Sequence, residues 1–232
     1  MDNKVMDEKQ LAKRNMIAKR IAEFFEEGDL GNLGIGLPTL VGNHLPPEKN
    51  CMLHSENGFI GLGPMPAEGE VDKDLLNAGG SPVTMVPGGS CFDSAFSFLL
   101  ARGGHVDITV LGALEVDEKG NLANWMIPGK LVPGMGGGMD LAAGAKKVII
   151  AMEHVSKNGE SKILKECKLP LTAVGVVKHI VTELAVMDVT PEGLVLREIA
   201  PDTTVEEVIA NTEATLIIPE TVGVFSYRIA SG

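Results

Sequence analysis

One carboxylate stands among residues made for a turn in the stretch CMLHSENGFIGLG, residues 51–63. A short apolar run stops at Glu56, and Asn57, Gly58, Gly61 and Gly63 follow. A glutamate can serve as a general base or as a covalent nucleophile. Glycines around it let backbone and a bulky substrate approach closely. The same residues also suit a plain turn, in which Asn57-Gly58 supplies left-handed conformations and Glu56 points to water. A second glycine-rich stretch, PGKLVPGMGGGMDLAAGAKK, spans residues 128–147. Gly134, Gly136, Gly137 and Gly138 leave four of five consecutive positions bare, and MDLAAGA reads as a helix start. Backbone N–H groups exposed there can hold an anion or a developing oxyanion. The alternative is a tight connection between sheet and helix. The G-x-G-x-x-G dinucleotide fingerprint fits poorly, because it belongs in the first βα turn and this loop comes after several strands.

The elements that must position these residues follow from periodicity. Leu11, Ile17, Ile21, Phe24 and Phe25 fall on one face of a helix over residues 8–27, stopped by Gly28. LGNLGIGLP reads as a strand and a glycine turn, with Pro38 opening a second helix. CMLHSE, SPVTMV, VDITVLGALEV and KKVIIAMEHV read as strands, and DSAFSFLLARGG as a helix stopped at Gly103. Nearly continuous β-branched runs mark strands covered on both faces, and their alternation with helices predicts an α/β fold with a mainly parallel sheet. In such a sheet ligands bind at the carboxyl ends of strands, where CMLHSENG delivers Glu56. Near the C-terminus, VKHIVTELAVMDV and GLVLREIA flank the turn TPEG and predict an antiparallel hairpin. TTVEEVIANTEA carries a capping threonine and a glutamate three residues on, so a helix is expected there. The residues from Phe225 onward are expected to be loose.

Composition narrows the classes. The chain has 232 residues, 44% of them hydrophobic, which suits one α/β domain, and no linker divides it. No apolar run is long enough for a membrane span. The N-terminus, MDNKVMDEKQLAKR, is charged and unlike a signal peptide, which predicts a cytoplasmic protein. A net charge of −11 argues against unassisted nucleic-acid binding. Cys51, Cys91 and Cys167 lie far apart without a C-x-x-C pair and read as free thiols. The five histidines show no metal-ligand spacing, so no metal is expected. The lone tryptophan, Trp125, reads as filling a core gap beside a loop, and the run Asp72, Lys73, Asp74 as solvated.

Taken together and in order, SENG on Glu56, GLGP, NAGG, RGGHVDITVLGALEVDEKGNLANWMIPGK, GMGGGMDL and KKVIIAMEH resemble the β subunit of family I coenzyme A transferases, over about residues 8–220. These include enzymes acting on acetoacetate, butyrate, acetate and succinate–3-oxoacid pairs. The resemblance implies the three-layer α/β/α fold, with a mainly parallel sheet, of the coenzyme A transferase and sugar-isomerase superfamily. It makes Glu56 the nucleophile that forms a glutamyl-CoA thioester in a ping-pong exchange. It assigns an oxyanion-binding amide to Gly137 and a place near the glutamate and CoA to Asn32. Asn57 and Gly58 belong to the same motif, and Gly136 to Gly138 would lie along the pantetheine arm. CoA is then a substrate, and no separate cofactor is implied. The chain lacks the family's α portion, so a separate α subunit in an α2β2 or larger assembly is expected. Two positions depart from the family pattern. Gly138 stands where alanine is common, and Gly80 where some relatives carry a CoA-binding lysine. Two rival readings share the fold: an acyl-CoA hydrolase, and a non-catalytic sugar-phosphate-binding module.

Overall fold

The structure is a computed structural model that describes residues 8–129 and 134–225. In chain order the elements are α1 (Glu8–Ala22), β1 (Leu30–Leu33), 3-10 turns at Pro38–His44 and Pro47–Lys49, β2 (Met52–Ser55), β3 (Phe59–Leu62), β4 (Met85–Cys91), α2 (Ser94–Arg102), β5 (Ile108–Leu111), β6 (Glu115–Asp117), β7 (Leu122–Ala123), α3 (Gly138–Gly144), β8 (Lys147–Ala151), β9 (Ile163–Leu164), β10 (Val177–Val181), β11 (Ala185–Thr190), β12 (Gly193–Ile199), α4 (Val205–Ala210), β13 (Leu216–Ile217) and β14 (Gly223–Val224).

The large sheet runs β13-β12-β11-β10-β8-β5-β1-β2-β3-β4, with β14 also pairing β12. Its middle strands, β10, β8, β5, β1 and β2, pair in parallel. Alternate residues of β8 enter opposite cores, Val148 and Ile150 on one side and Ile149 and Ala151 on the other. Both faces of β8 are therefore buried, which is why its residues 148–151 are all apolar. Ile17 and Ile21 of α1 and Val41 of the first 3-10 turn cover one face. The other is covered by Ala142 of α3, Val208 of α4 and a second sheet of order β7-β6-β9, which contributes Val116, Leu122 and Ile163. The expected parallel sheet between two covering layers is present, with part of the second layer built from strands.

Several boundaries differ from the sequence reading for local reasons. Helix α1 stops at Ala22, where Lys49 Nζ donates to the carbonyls of Ala22, Glu23 and Phe25 and takes over the unpaired helix end. VDITVLGALEV is two strands, because the chain leaves the large sheet after β5 and enters the small one at β6. Asp117 fixes that exit by accepting N–H groups from Lys119, Asn121 and Cys167 at 3.0–3.1 Å. The predicted strand SPVTMV lies later, as β4, and takes in Pro87; β4 is the outermost strand at its end of the sheet, where proline is tolerated. The β11–β12 hairpin turns at Pro191-Glu192 as predicted, but VKHIVTELAVMDV also folds on itself, with β10 antiparallel to β11. Thr204 caps α4 by accepting from Glu207 N at 3.2 Å. Phe225 is not loose: it is 3% exposed and its N–H bonds Ile199 O at 3.2 Å. The rest of that tail, 226–232, lies outside the described residues.

Candidate active site

Glu56 opens a three-residue loop, Glu56-Asn57-Gly58, joining β2 to the antiparallel β3 through the pair Ser55–Phe59. The loop closes with Gly58 N–H on Ser55 O at 3.0 Å and is braced by Phe92 N–H on Gly58 O at 2.8 Å. Gly58 has φ +133, and a Cβ there would strike the Phe92 carbonyl oxygen, so glycine is required. The loop sits at the carboxyl end of β2, beside the parallel strand β1, on the edge where open parallel sheets take ligands.

Asn32 of β1 pairs in register with His54 of β2. It is buried, and its Nδ2 donates to Glu56 Oε2 at 3.3 Å and to His54 O at 3.2 Å, with His54 Nδ1 also at 3.3 Å. Glu56 is half-buried and held by this amide, which is not the water-facing turn that the motif alone allowed. Asn32 Oδ1 is buried with no hydrogen-bond partner among the described residues, and so is Oγ1 of its β5 neighbour, Thr109. Behind Asn32, His54 Nε2 lies 2.7 Å from Ser97 Oγ, and Ser97 Oγ donates to Ser55 O at 3.5 Å. Burial holds the His54 ring below its ordinary pKa, against the opposing pull of the Glu56 charge. Ser97 rides on α2, whose N-terminus is fixed by Asp93 accepting from Phe96 N at 2.8 Å.

The second glycine stretch meets Glu56 at one residue. Gly137 is buried just ahead of α3, and a Cβ built on it would lie 3.3 Å from Glu56 Cγ and 3.1 Å from the Phe98 ring. Its φ is −82, so the backbone there would accept another residue, and what a side chain would meet is the crowding of Phe98 and Glu56. Gly134 and Gly136 have positive φ and open surroundings. Gly138 N–H is taken by Met135 O at 3.1 Å, which leaves it unavailable to an anion. Arg102 Nε on Asp140 Oδ1 at 2.8 Å ties α2 to α3 across this corner.

Glu56, Asn32 and Gly137 are thus brought together, Gly58 shapes the loop, and Gly136 and Gly138 form the adjoining turn. Asn57 is exposed and spends its amide on Leu76 O at 2.7 Å. Gly80 has φ +77 in a turn closed by its N–H on Asn77 O, so a lysine there would be strained. Residues 130–133 of the loop lie outside the described residues. Trp125 is not a core filler: it is half-buried and its indole donates to Leu171 O at 3.2 Å. Cys51, Cys91 and Cys167 are free, and Asp72, Lys73 and Asp74 are exposed. Among the described residues no group of three His, Cys, Asp or Glu could hold a metal. His54 and Ser97 escaped the sequence reading. The signal for His54 was its place two residues before Glu56 in the predicted strand CMLHSE, since alternate residues of a strand share a side; Ser97, inside an apolar helical run, gave none.

The profile of the Coenzyme A transferase family matches residues 14–211. The β chain of the acetate CoA-transferase of Haemophilus influenzae is 58% identical over 207 residues, covering 89% of this chain and 92% of that protein. One of the subunits of the succinyl-CoA:3-ketoacid coenzyme A transferase of Helicobacter pylori (strain 26695) is 52% identical over 201 residues, covering 87% and 97%. In fold, the chain matches the acyl-CoA transferase YdiF of Escherichia coli O157:H7, at TM-score 0.75 and 23% identity for the apoenzyme and 0.74 and 22% for a thioester complex with CoA. Those matches cover 92% and 96% of this chain but only 43% and 44% of YdiF, so the chain spans less than half of that protein. With a family match over most of its length and relatives above 50% identity, this chain belongs to the coenzyme A transferase family, among its β-subunit members.

Proposed function

We propose that the chain carries the nucleophile of a carboxylate:acyl-CoA transferase, and that Glu56 passes through a CoA thioester. The observation that carries this reading is the carboxylate of Glu56 held by Asn32 on one oxygen and pressed against Gly137, at the ligand-binding edge of the sheet. Glu56 Oε1 attacks the acyl carbon of the incoming thioester, the C–S bond breaks, and CoA leaves as a thiolate. The thiolate attacks the glutamyl carbon of the resulting anhydride, the carboxylate product departs, and glutamyl-CoA remains. A second carboxylate runs the two steps in reverse and leaves as the new acyl-CoA. Thioester energy is conserved throughout, and the exchange is ping-pong.

Each attack builds an oxyanion. The Gly137 N–H is assigned to the oxyanion on the substrate's acyl oxygen. When the glutamyl carbon itself is attacked, the charge develops on Glu56 Oε2, the oxygen that Asn32 Nδ2 already faces. A preorganised donor of this kind is worth roughly 3 to 4 kcal/mol. The bare backbone of 136–138 leaves a path for the pantetheine arm, since a side chain there would occupy it.

The relatives' names, acetate and succinyl-CoA:3-ketoacid transferase, support short-chain carboxylates such as acetate, acetoacetate or butyrate as substrates. Their designation as subunits, and the greater length of YdiF, support a separate α subunit in an α2β2 or larger assembly. CoA enters as a substrate, without a further cofactor. Free cysteines and the lack, among the described residues, of a helix long and apolar enough to cross a membrane support a cytoplasmic site of action.

The test is exchange between acetoacetyl-CoA and acetate by the chain paired with its α subunit, with borohydride reduction of the acyl-CoA-treated enzyme and mass mapping of the modified residue. The expected result is exchange with modification at Glu56. Release of free CoA at a comparable rate without an acceptor acid would make the protein a hydrolase. Binding of a phosphorylated sugar with no covalent adduct would make it a sensor of the same fold.

A further inference from the structure

We propose that His54 and Ser97 are positioning residues for the Glu56 nucleophile, acting through Asn32 by fixing which end of its amide faces the carboxylate. The inference deepens the transferase reading above and rests on it.

Proton bookkeeping along the chain leaves one arrangement. Asn32 Nδ2 can only donate, so the His54 Nδ1 that it meets at 3.3 Å must offer a lone pair. The neutral ring then carries its proton on Nε2, which donates to Ser97 Oγ at 2.7 Å. Ser97 passes its own proton to the Ser55 carbonyl at 3.5 Å. The direction of every bond follows from that carbonyl, which can only accept. One Asn32 N–H is shared between His54 Nδ1 and His54 O, at 3.3 and 3.2 Å, and the second is left for Glu56 Oε2.

The alternative states are unfavourable in a defined way. An imidazolium would set Nδ1–H against the Asn32 N–H groups. The relief would be a flip of the amide, and the flip would turn Oδ1 toward the Glu56 carboxylate, acceptor against acceptor. The burial of His54, Ser97 and Asn32, each 2% exposed or less, keeps water from substituting for any of these partners. Glu56 is the charged group that acts on the ring and favours its protonation, while burial opposes it. The ring is kept neutral, and its neutrality sets the amide.

Three substitutions test this in the chain paired with its α subunit: His54→Leu, His54→Gln and Ser97→Ala. A glutamine at 54 can accept from Asn32 through its carbonyl and donate to Ser97 through its amide, whereas leucine can do neither. The readouts are the rate of glutamyl-CoA formation from acetoacetyl-CoA by mass spectrometry, steady-state kcat and KM, and thermal midpoint. His54→Leu is expected to lower kcat about 30- to 100-fold with KM for acyl-CoA within about twofold, since small misplacements of a reacting group cost up to about 100-fold. Ser97→Ala should lower kcat about fivefold to tenfold, and His54→Gln should recover kcat to within about threefold of the unmodified protein. If His54→Leu or Ser97→Ala forms the thioester at the unmodified rate, or if His54→Gln is as slow as His54→Leu, the positioning role is wrong. Should His54→Leu fail to fold, Ser97→Ala decides by its rate of thioester formation, and His54→Gln by whether its kcat stays within about threefold of the unmodified protein. If the unmodified protein forms no adduct on Glu56, it is the transferase reading that fails, and the two failures are distinguishable.

Discussion

The protein holds two buried neutral histidines wired alike at the ring and unlike at the ends. His154 has Thr182 Oγ1 at 2.9 Å from Nδ1 and Thr212 Oγ1 at 2.9 Å from Nε2. Thr212 already donates its hydroxyl proton to Val208 O at 2.7 Å, so it accepts from the ring, as Ser97 does from His54. There the likeness stops. The His154 ring network is closed, its far ends being threonine hydroxyls and backbone carbonyls, and it joins the segments that follow β8, β10 and α4. The His54 chain is open, because beyond Asn32 it ends on Glu56, a half-buried carboxylate free to change its bonding. A closed network can only stabilise, whereas an open one transmits its geometry to whatever sits at its end.

The largest expected effect lies at that open end. Glu56→Gln removes the attacking oxygen charge but keeps size and one acceptor for Asn32, so it should leave the fold intact. Exchange should fall by at least about 10,000-fold, in the range seen when a covalent nucleophile is deleted. Exchange kinetics and loss of the CoA adduct on the intact mass measure it. Retained exchange would remove the reason for calling the open chain functional.

The closed network should announce itself in stability and pH. Burial pushes His154 down to about 4 from the ordinary 6.5, with Lys162 adding to the shift. Between those values the unfolded chain holds a proton that the folded ring refuses. Stability is therefore fully present above about 6.5 and falls as pH drops across the window, by an amount on the order of 3 kcal/mol from this group. Denaturant midpoints from pH 7 to pH 4 should show the decline, and in His154→Gln the part due to this ring should vanish. An unchanged slope in that variant would assign the decline to other groups.

Next in size is Gly137, the residue that closes the open site from the side of α3. Gly137→Ala puts a methyl 3.3 Å from Glu56 Cγ and 3.1 Å from Phe98, closer than ordinary packing allows. Because φ is −82, the backbone accepts alanine, and the damage should fall on the position of Glu56 more than on folding. An exchange rate lower by about 10- to 100-fold is expected, with a thermal midpoint close to that of the unmodified protein. A methyl tolerated without loss of rate would separate Gly137 from the nucleophile.

How much of this was legible in the sequence depends on the range of the signal. The apolar runs of β5 and β8 announced strands buried on both sides, and Asp93, Pro38 and Thr204 sat at element starts as local chemistry requires. The Glu56 loop and the Gly137 stretch were visible because glycine clusters are unusual wherever they stand. What brings Asn32 under Glu56 is the parallel pairing of β1 with β2 across 22 residues, and no local pattern encodes such a register. The break of VDITVLGALEV into β5 and β6 was hidden for the same reason, since Asp117 and its partner at Cys167 are 50 residues apart. Ser97 is the extreme case: a small polar residue in a helix looks solvent-facing until the fold turns it onto His54.

The smallest expected effect is also the sharpest contrast, because the same chemical deletion can be made in both networks. Thr212→Val removes the hydroxyl that accepts from His154 Nε2, keeps nearly the same volume, and leaves a buried N–H unpaired. That should cost about 1 to 2 kcal/mol of stability and leave the exchange rate of the folded protein unchanged, since no hydrogen bond links His154 to Glu56 among the described residues. Ser97→Ala removes the corresponding acceptor from His54 Nε2, and there the loss should appear in kcat as well, because the freed ring no longer sets the Asn32 amide. Thermal midpoints and kcat measured for the pair would decide it. If both variants lose stability and neither loses rate, the two histidines do the same work, and the open end of the chain transmits nothing to the carboxylate.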